Sequence, residues 1–538
     1  MNADKMYIPS MEKWSKYYQN VVQGNNKTYI THIKNTGRNG SFMIPIENQK
    51  SPSTSSKSNE KYNIHLVSPS AQMVEMAKES LEDEGLHIKG KKRKRKTSHK
   101  ATSSGVGNNF TEAIPSQLEV FEIPPYQLGV ESISYEECRP TSQVTAYNPI
   151  EFNLCAQNGL EYIDLRRSKL YVKLRVKHSN GDNIAIDSKV APVNGFFYAL
   201  FSQVDCYLQG SLVSSSNTNY SYKCMMKTLL DYGQDAKASQ LTSALFYKDR
   251  SGHMDSFDTN TGLYERKKLI GNSKSLDMEG MLFHDLFEMD RYLLNMVDVK
   301  LKLFRSRPSF CLMSSEDDAD YDVVIEDIVV KVCKIKVNPA IIFAHSEALK
   351  STNAKYPYTK TVMKHITLMM GSTNAVLENI FQDVKPKRII MGLTSTNAVN
   401  GDYQLNPWNF QHFDLQQITL YCDGVPVDGI PLKLQFNEDR GATNVAAYVK
   451  MFENCGKWGG DAGNEITRSD FNNGYALFCF DLQPHFSDAN YLSLVKQGKV
   501  RLECHFASPL PETVSLLIVA ENSGYFEITE NRQIKVEH

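Results

Sequence analysis

The chain has no CxxC pair, and its ten cysteines share no Cys/His grouping at metal-ligand spacing. A structural zinc site is therefore not indicated, and cysteines set in apolar, strand-like runs behave as small hydrophobes. No stretch of 18 or more consecutive apolar residues occurs, so no helical membrane span is expected. The longest weakly charged stretch, 190–204, is interrupted by Pro192, Asn194, Gly195, Ser202 and Gln203. A secretory signal pattern is not seen at Met1, and the expected compartment is reducing and intracellular. The GxGxxG and GxxxxGK[ST] phosphate loops, GxSxG, HExxH and EF-hand spacing are all missing. Only three tryptophans occur (Trp14, Trp408, Trp458), which gives a carbohydrate-binding cleft little support.

The weaker chemical signals read as structure. Gly459-Gly-Asp-Ala-Gly463 follows no apolar strand and opens no helix, so it reads as a loop. Residues 316–322 hold five carboxylates in seven positions. They could bind Ca²⁺, but a solvated loop before the strand at Val323 is the stronger reading. His253, His284, His345 and His365 each lie near a carboxylate or lysine, with nothing in one dimension to group them. No cofactor and no enzymatic activity are expected.

Charge is unevenly distributed. The whole chain has 60 Lys/Arg and 61 Asp/Glu in 538 residues, a net charge of −1. Residues 1–110 carry 18 Lys/Arg against 9 Asp/Glu, or +9, which leaves 42 against 52, or −10, for the remainder. A basic front on an acidic body points to an anionic partner for the front.

Residues 1–116 read as a polar, basic and largely disordered extension. Runs such as 51–58 cannot offset the entropy of ordering. One helix is expected over about 69–84: Ser68 can cap it, Pro69 suits its first position and Gly85 ends it. The basic run 89–100 follows, with Lys89, Lys91, Lys92, Arg93, Lys94, Arg95, Lys96 and Lys100. No aromatics interleave it, so contact with nucleic acid would be to phosphate, without sequence preference. The same run fits a nuclear import signal.

From about Ser116 the texture becomes short alternating segments between turns. Leu170, Val172, Leu174 and Val176 alternate with polar neighbours, which marks a half-buried strand. Similar runs lie at 299–304, 323–337, 418–421 and 500–506. Helical patterning is sparse, with 222–232 and 346–351 the better candidates. The body reads as mainly antiparallel β.

An internal repeat organises it. Tyr207, Gly210 and Val213 recur as Tyr421, Gly424 and Val427, each set reading as strand, glycine turn and returning strand. Val299-Lys-Leu-Lys-Leu303 then matches Val500-Arg-Leu-Glu-Cys504 in the same order, each followed by a proline-bearing loop and another apolar strand. Two similar β-domains in tandem are expected, at 117–340 and 341–538.

Several segments together carry a family resemblance. They are residues 196–210, Tyr220-Ser-Tyr-Lys223, Leu229-Leu-Asp-Tyr-Gly233, 240–249 and Asp290-Arg-Tyr-Leu-Leu-Asn295. In the second half, Asn406-Pro-Trp-Asn-Phe410, 474–482 and Leu494-Val-Lys-Gln-Gly498 follow in order. The chain resembles the major capsid protein of Polinton/Maverick-type virus-like DNA transposons and the related adintoviruses, over about residues 117–538. The resemblance implies an all-β double jelly roll, two tandem eight-stranded sandwiches. It implies a homotrimer of pseudo-hexagonal outline that tiles an icosahedral shell. Penton and minor capsid proteins, packaged double-stranded DNA, a packaging ATPase and a maturation protease are the partners it implies. The expected locations are the virion and, during assembly, the host nucleus. Residues 251–274 and 436–469 are the candidate loops for trimer towers or subunit faces. Residues 1–116 depart from the family as an additional arm, a fused neighbouring gene, or a join made in gene prediction. Ile88 and Gly90 meet part of the family protease's preference, but Lys92 stands where a second glycine belongs. The alternatives are a nuclear nucleic-acid-binding protein, or a domesticated transposon-derived protein with a changed role.

Overall fold

The computed structural model describes residues 43–47, 62–66, 118, 123, 125–145, 148–154, 159–215, 219–437, 441–482 and 496–537. These fall into two compact units. The smaller contains an antiparallel pair, β1 (Met43–Glu47) with β2 (Tyr62–Leu66), and a helix at Pro339–Leu349. That helix begins earlier than the expected 346–351. Pro339 takes the first turn, and the Asn338 side chain accepts from Ala340 N at 2.9 Å, so the start is set by capping chemistry. The helix expected at about 69–84 lies outside the described residues.

The larger unit holds two sandwiches built from the same plan. Strands of the first are β3 (Val130–Cys138), β4 (Ile150–Asn153), β5 (Glu161–His178), β6 (Val190–Pro192), β7 (Phe201–Leu208), β8 (Ser211–Ser215), β9 (Leu276–Met281), β10 (Val299–Arg305), β11 (Leu312–Ser314) and β12 (Tyr321–Val337). They form two four-stranded sheets, β3-β12-β5-β9 and β4-β10-β7-β8, with β6 and β11 as a small separate pair.

The second sandwich comprises β13 (Ala354–Leu368), β14 (Asn374–Leu377), β15 (Val384–Lys385), β16 (Arg388–Ser395), β17 (Leu415–Cys422), β18 (Val425–Pro426), β19 (Leu432–Lys433), β20 (Leu477–Asp481), β21 (Lys496–Gln497), β22 (Val500–Phe506), β23 (Val514–Ile528) and β24 (Ile534–Glu537). Its sheets run β13-β23-β16-β20 and β14-β22-β17-β18, so each sheet repeats the order of its counterpart. The eight strands on these paths make each half a jelly roll, with β24 added beside β23 and β19 beside β17 in the second, and the fold is the double jelly roll.

The alternation read from the sequence is what closes these cores. Leu170, Val172, Leu174 and Val176 are fully buried on β5, while the residues between them are half-buried. Burying one such aliphatic side chain contributes about 1.5–3 kcal/mol. The matched glycine turns are also the same structure. Gln209 and Gly210 have φ of 49° and 76°, and Asp423 and Gly424 have 52° and 81°. Two successive positive φ values make the tight hairpin turn whose twist suits the flanking strands. Each hairpin then pairs through its first strand with the matched strand, β7 with β10 and β17 with β22.

Among the described residues of this unit, three helices have nine residues or more: α1 (Tyr220–Asp231), α2 (Thr261–Ile270) and α3 (Val445–Glu453). The first starts two residues before the expected 222–232 and ends one earlier. The other two fall inside 251–274 and 436–469, which the sequence offers only as long loops. Their buried faces explain the omission. On α2 these are Gly262, Leu263, Arg266 and Ile270, and on α3 only Ala447 and Met451, so neither displays a wide apolar stripe.

Candidate functional site: the seam between the jelly rolls

The two sandwiches are joined by buried polar groups contributed by the segments between their strands. Asp249 is the centre. Its Oδ1 accepts from Arg266 Nη2 at 2.6 Å and from Asn260 Nδ2 at 2.9 Å. Its Oδ2 accepts from Asn406 Nδ2 of the second sandwich at 3.0 Å, and Tyr475 Oη donates to its carbonyl at 2.6 Å. Arg266 spends its remaining donors on Pro192 O at 2.8 Å and Tyr247 O at 2.6 Å. Both members of the ion pair are fully buried.

A glycine makes this arrangement reachable. A Cβ at Gly262 would lie 2.3 Å from Lys248 O and 2.7 Å from Tyr247 O. Only a residue without one lets α2 approach the 247–249 backbone closely enough for Arg266 to span it.

Around this node the same two segments are tied repeatedly. Lys248 Nζ donates to Asp470 Oδ2 at 2.8 Å and to Glu465 O at 2.5 Å. Asp255 accepts from Asn406 N at 2.7 Å and Asn409 Nδ2 at 2.6 Å, and burial raises its carboxyl above the ordinary range. Lys237 Nζ donates to Leu229 O at 2.9 Å and Asn464 O at 2.6 Å, and burial brings its amine down to about 7. Trp408, 1% exposed, donates from Nε1 to Asn194 O at 2.9 Å and meets Tyr222 and Phe310 edge-on at 5.2 and 5.6 Å.

A second buried cluster lies along the seam. Asp285 Oδ1 accepts from Lys223 Nζ at 2.6 Å, and Oδ2 accepts from Ser214 Oγ at 2.8 Å and Thr361 N of β13 at 3.0 Å. Burial opposes ionisation of Asp285, yet Lys223, His284 and the Thr361 N–H together hold the carboxyl below its usual range. Beside them, Arg388 Nη2 pairs with Glu521 at 2.6 Å, and Nη1 reaches Asp231 of α1 at 3.7 Å. Lys227 bridges Asp231 and Glu288 at 3.1 and 3.3 Å.

His284 belongs to this cluster and gives a pH prediction. Its Nδ1 accepts from Leu286 N at 3.4 Å, so Nε2 carries the proton and faces Ser214 O at 3.3 Å. Burial lowers its pKa to about 4 from 6.5. The unfolded chain therefore binds the extra proton first as pH falls. Stability from this group is complete above pH 6.5 and is lost as pH drops from there toward 4, by about 3 kcal/mol. Urea midpoints at pH 7 and pH 4.5 should differ, and His284→Asn should reduce the difference; an unchanged difference refutes the assignment.

The other histidines singled out from sequence are not brought together. His253 Nδ1 contacts Thr259 Oγ1 at 3.1 Å, His365 Nε2 contacts Ser515 Oγ at 2.8 Å, and His345 lies on the helix of the smaller unit. In the acidic stretch, Glu316 Oε1 accepts from Lys189 N at 3.0 Å, and its other oxygen accepts from Tyr321 Oη. Asp320 Oδ1 accepts from Ser179 Oγ at 2.5 Å. Among the described residues no three His, Cys, Asp or Glu side chains converge to hold a metal ion. No described helix is long and apolar enough to cross a membrane.

A cleft of about 840 Å³ opens beside the seam, lined in part by His253, Asp255, His412, Asp414 and Glu512. Its groups are already engaged: Asp255 by the two asparagines, and His412 by a stack on Phe436 with centroids 4.2 Å apart. The basic residues Lys89, Lys91, Lys92, Arg93, Lys94, Arg95, Lys96 and Lys100 lie outside the described residues.

Sequence reasoning found no site here, yet three of the segments that carry the family resemblance meet at the seam. Asp249 ends one, Asn406 and Trp408 lie in another, and Tyr475 lies in a third. The 251–274 and 436–469 segments contribute Asn260, Arg266, Asn464 and Glu465 to the union within one chain.

The chain is similar to a chain of the Sputnik virophage structure, with a TM-score of 0.54 and 12% identity, over 81% of this chain and 94% of that one. Similarity to the mavirus major capsid protein has a TM-score of 0.45 and 10% identity, covering 82% and 97%. In sequence, the chain is 25% identical over 379 residues to the uncharacterized protein F54H12.2 of Caenorhabditis elegans, spanning 68% of this chain and 87% of that relative. No family model matches the chain.

Proposed function

We propose that the chain is the structural major capsid protein of a virus-like DNA element of the Polinton or adintovirus type, without enzymatic activity. The observation that carries this reading is the pairing of two jelly rolls of identical strand order through a buried seam, in a fold shared with a virophage chain over 94% of that chain's length. One subunit thereby presents two similar blocks in a fixed relation. Three subunits supply six such blocks, which is the geometry of a pseudo-hexagonal tile. Closing such a ring needs heterologous contacts, with different faces of one subunit complementing each other.

The basic run at 89–100 then serves as an arm that neutralises packaged DNA or directs import into the nucleus. An acidic body of charge −10 repels phosphate, so attraction must come from the arm. Assembly with penton and minor capsid proteins, a packaging ATPase and a maturation protease belongs to the same reading.

Light scattering and negative-stain microscopy on the purified full chain test it. A stable species of three times the monomer mass with a pseudo-hexagonal face is expected. A well-folded monomer at high concentration overturns the shell function. It would bring forward a nuclear nucleic-acid-binding role, which the basic run alone favours. Addition of duplex DNA to the same preparation should give binding that weakens steeply with salt and disappears when the run's lysines and arginines become glutamine.

A further inference from the structure

Cys479 lies on β20 directly opposite Ile390 of β16, two positions from Arg388 on that strand. Opposed residues of an antiparallel pair share a face, as do residues two apart. The Cys479 thiol and the Arg388 side chain therefore project from the same side of the sheet. The C-terminal end of α3 rests there. Asn454, which caps that helix, donates from Nδ2 to Cys479 O at 2.6 Å, and its own carbonyl accepts from Arg388 Nη1 at 3.4 Å. Cys455, the next residue, is thereby held over Cys479, and the two thiols interact.

The members of the pair differ. Cys455 is partly exposed and Cys479 is buried. The interaction with Cys479, and then the Arg388 charge, hold the Cys455 thiol below its usual range despite burial. The Cys479 thiol is pushed well up by its interaction with Cys455 and by burial. Elsewhere Cys206, Cys311 and Cys504 are buried and raised to about 12, chiefly by burial, which makes them poor nucleophiles. The nine described cysteines form no disulfide.

We infer that Cys455 and Cys479 form an oxidisable dithiol, with Cys455 the attacking sulfur and Cys479 the resolving one, and a small disulfide such as oxidised glutathione the oxidant. The Cys455 thiolate attacks one sulfur of oxidised glutathione, breaking its S–S bond and releasing one glutathione thiolate. Cys479 then gives up its proton and attacks the Cys455 sulfur, expelling the second glutathione. Two protein thiols are oxidised to one disulfide, and one small disulfide is reduced to two thiols, which take up the protons. The inference is independent of the shell reading.

The bond would close the segment from 455 to 479. That segment carries Asn464, Glu465 and Asp470, which accept from Lys237 and Lys248, and Tyr475, which donates to the Asp249 carbonyl at the seam. Oxidation would thus restrain the part of the second sandwich that grips the first. A gain of about 4 °C in melting temperature is expected.

The test treats the native full chain with oxidised glutathione, quenches with acid, alkylates under denaturing conditions and digests without reduction. Mass spectrometry should find the Cys455 and Cys479 peptides joined and two hydrogens lighter than their sum, with Cys206, Cys311 and Cys504 alkylated. The melting gain should be absent in Cys455→Ser. Recovery of both Cys455 and Cys479 as alkylated thiols overturns the inference. So does Cys455 carrying glutathione while Cys479 stays free.

Discussion

Replacing Asp249 with alanine is expected to destabilise the protein by about 3–5 kcal/mol, because the fully buried Arg266 guanidinium then has no counter-charge. The same change removes one acceptor from Asn260 Nδ2 and one from Asn406 Nδ2, each of which keeps only its bond to Met254 O, at 3.1 and 3.2 Å. The ion pair itself need not be a net source of stability, since desolvating two charges costs about as much as their attraction returns. That asymmetry can be measured. The double variant Asp249→Leu with Arg266→Met should recover a large part of the loss, whereas either change alone should not. Urea unfolding with an unchanged m-value is the assay. A loss below about 1 kcal/mol for Asp249→Ala would mean that the seam does not depend on this pair.

Trp408→Ala is the second large effect, at about 3–5 kcal/mol. The indole fills the space between Tyr222 and Phe310 of the first sandwich, and its N–H is the partner of Asn194 O. Truncation leaves a cavity and an unsatisfied carbonyl together. Trp408→Phe should cost less, because it keeps most of the packing and loses the hydrogen bond. The urea midpoint of both variants checks this; equal losses for alanine and phenylalanine would assign the effect to the hydrogen bond rather than to packing. Since this side chain joins the two halves, Trp408→Ala should also lower the yield of any trimer that depends on their fixed relation.

Much of the fold is legible in the sequence. The alternation at 170–177, 299–304, 418–421 and 500–506 marks strands that the structure contains as β5, β10, β17 and β22. The matched Tyr-Gly-Val turns and the matched later strands put both halves on one plan, and the sheet orders repeat accordingly. These signals are legible because a strand in a half-buried sheet must alternate, and a two-residue hairpin must take positive φ. Each is a local requirement written in adjacent residues.

The helices at 261–270 and 445–453 are not legible in that way. The buried face of α2 includes a glycine and an arginine, which in one dimension read as a turn and a surface charge. Arg266 is a core residue only because Asp249, Pro192 and Tyr247 surround it.

Local patterning therefore determined the strands, their turns, the tandem repeat and the charge imbalance between front and body, since each depends on neighbours in the chain. The tertiary structure alone decided how the two halves are joined. Asp249, Asn406 and Tyr475 are separated by up to 226 positions and carry no shared signal along the chain. A buried charge is tolerable only where folding brings a counter-charge and donors to it, and that condition exists only in three dimensions.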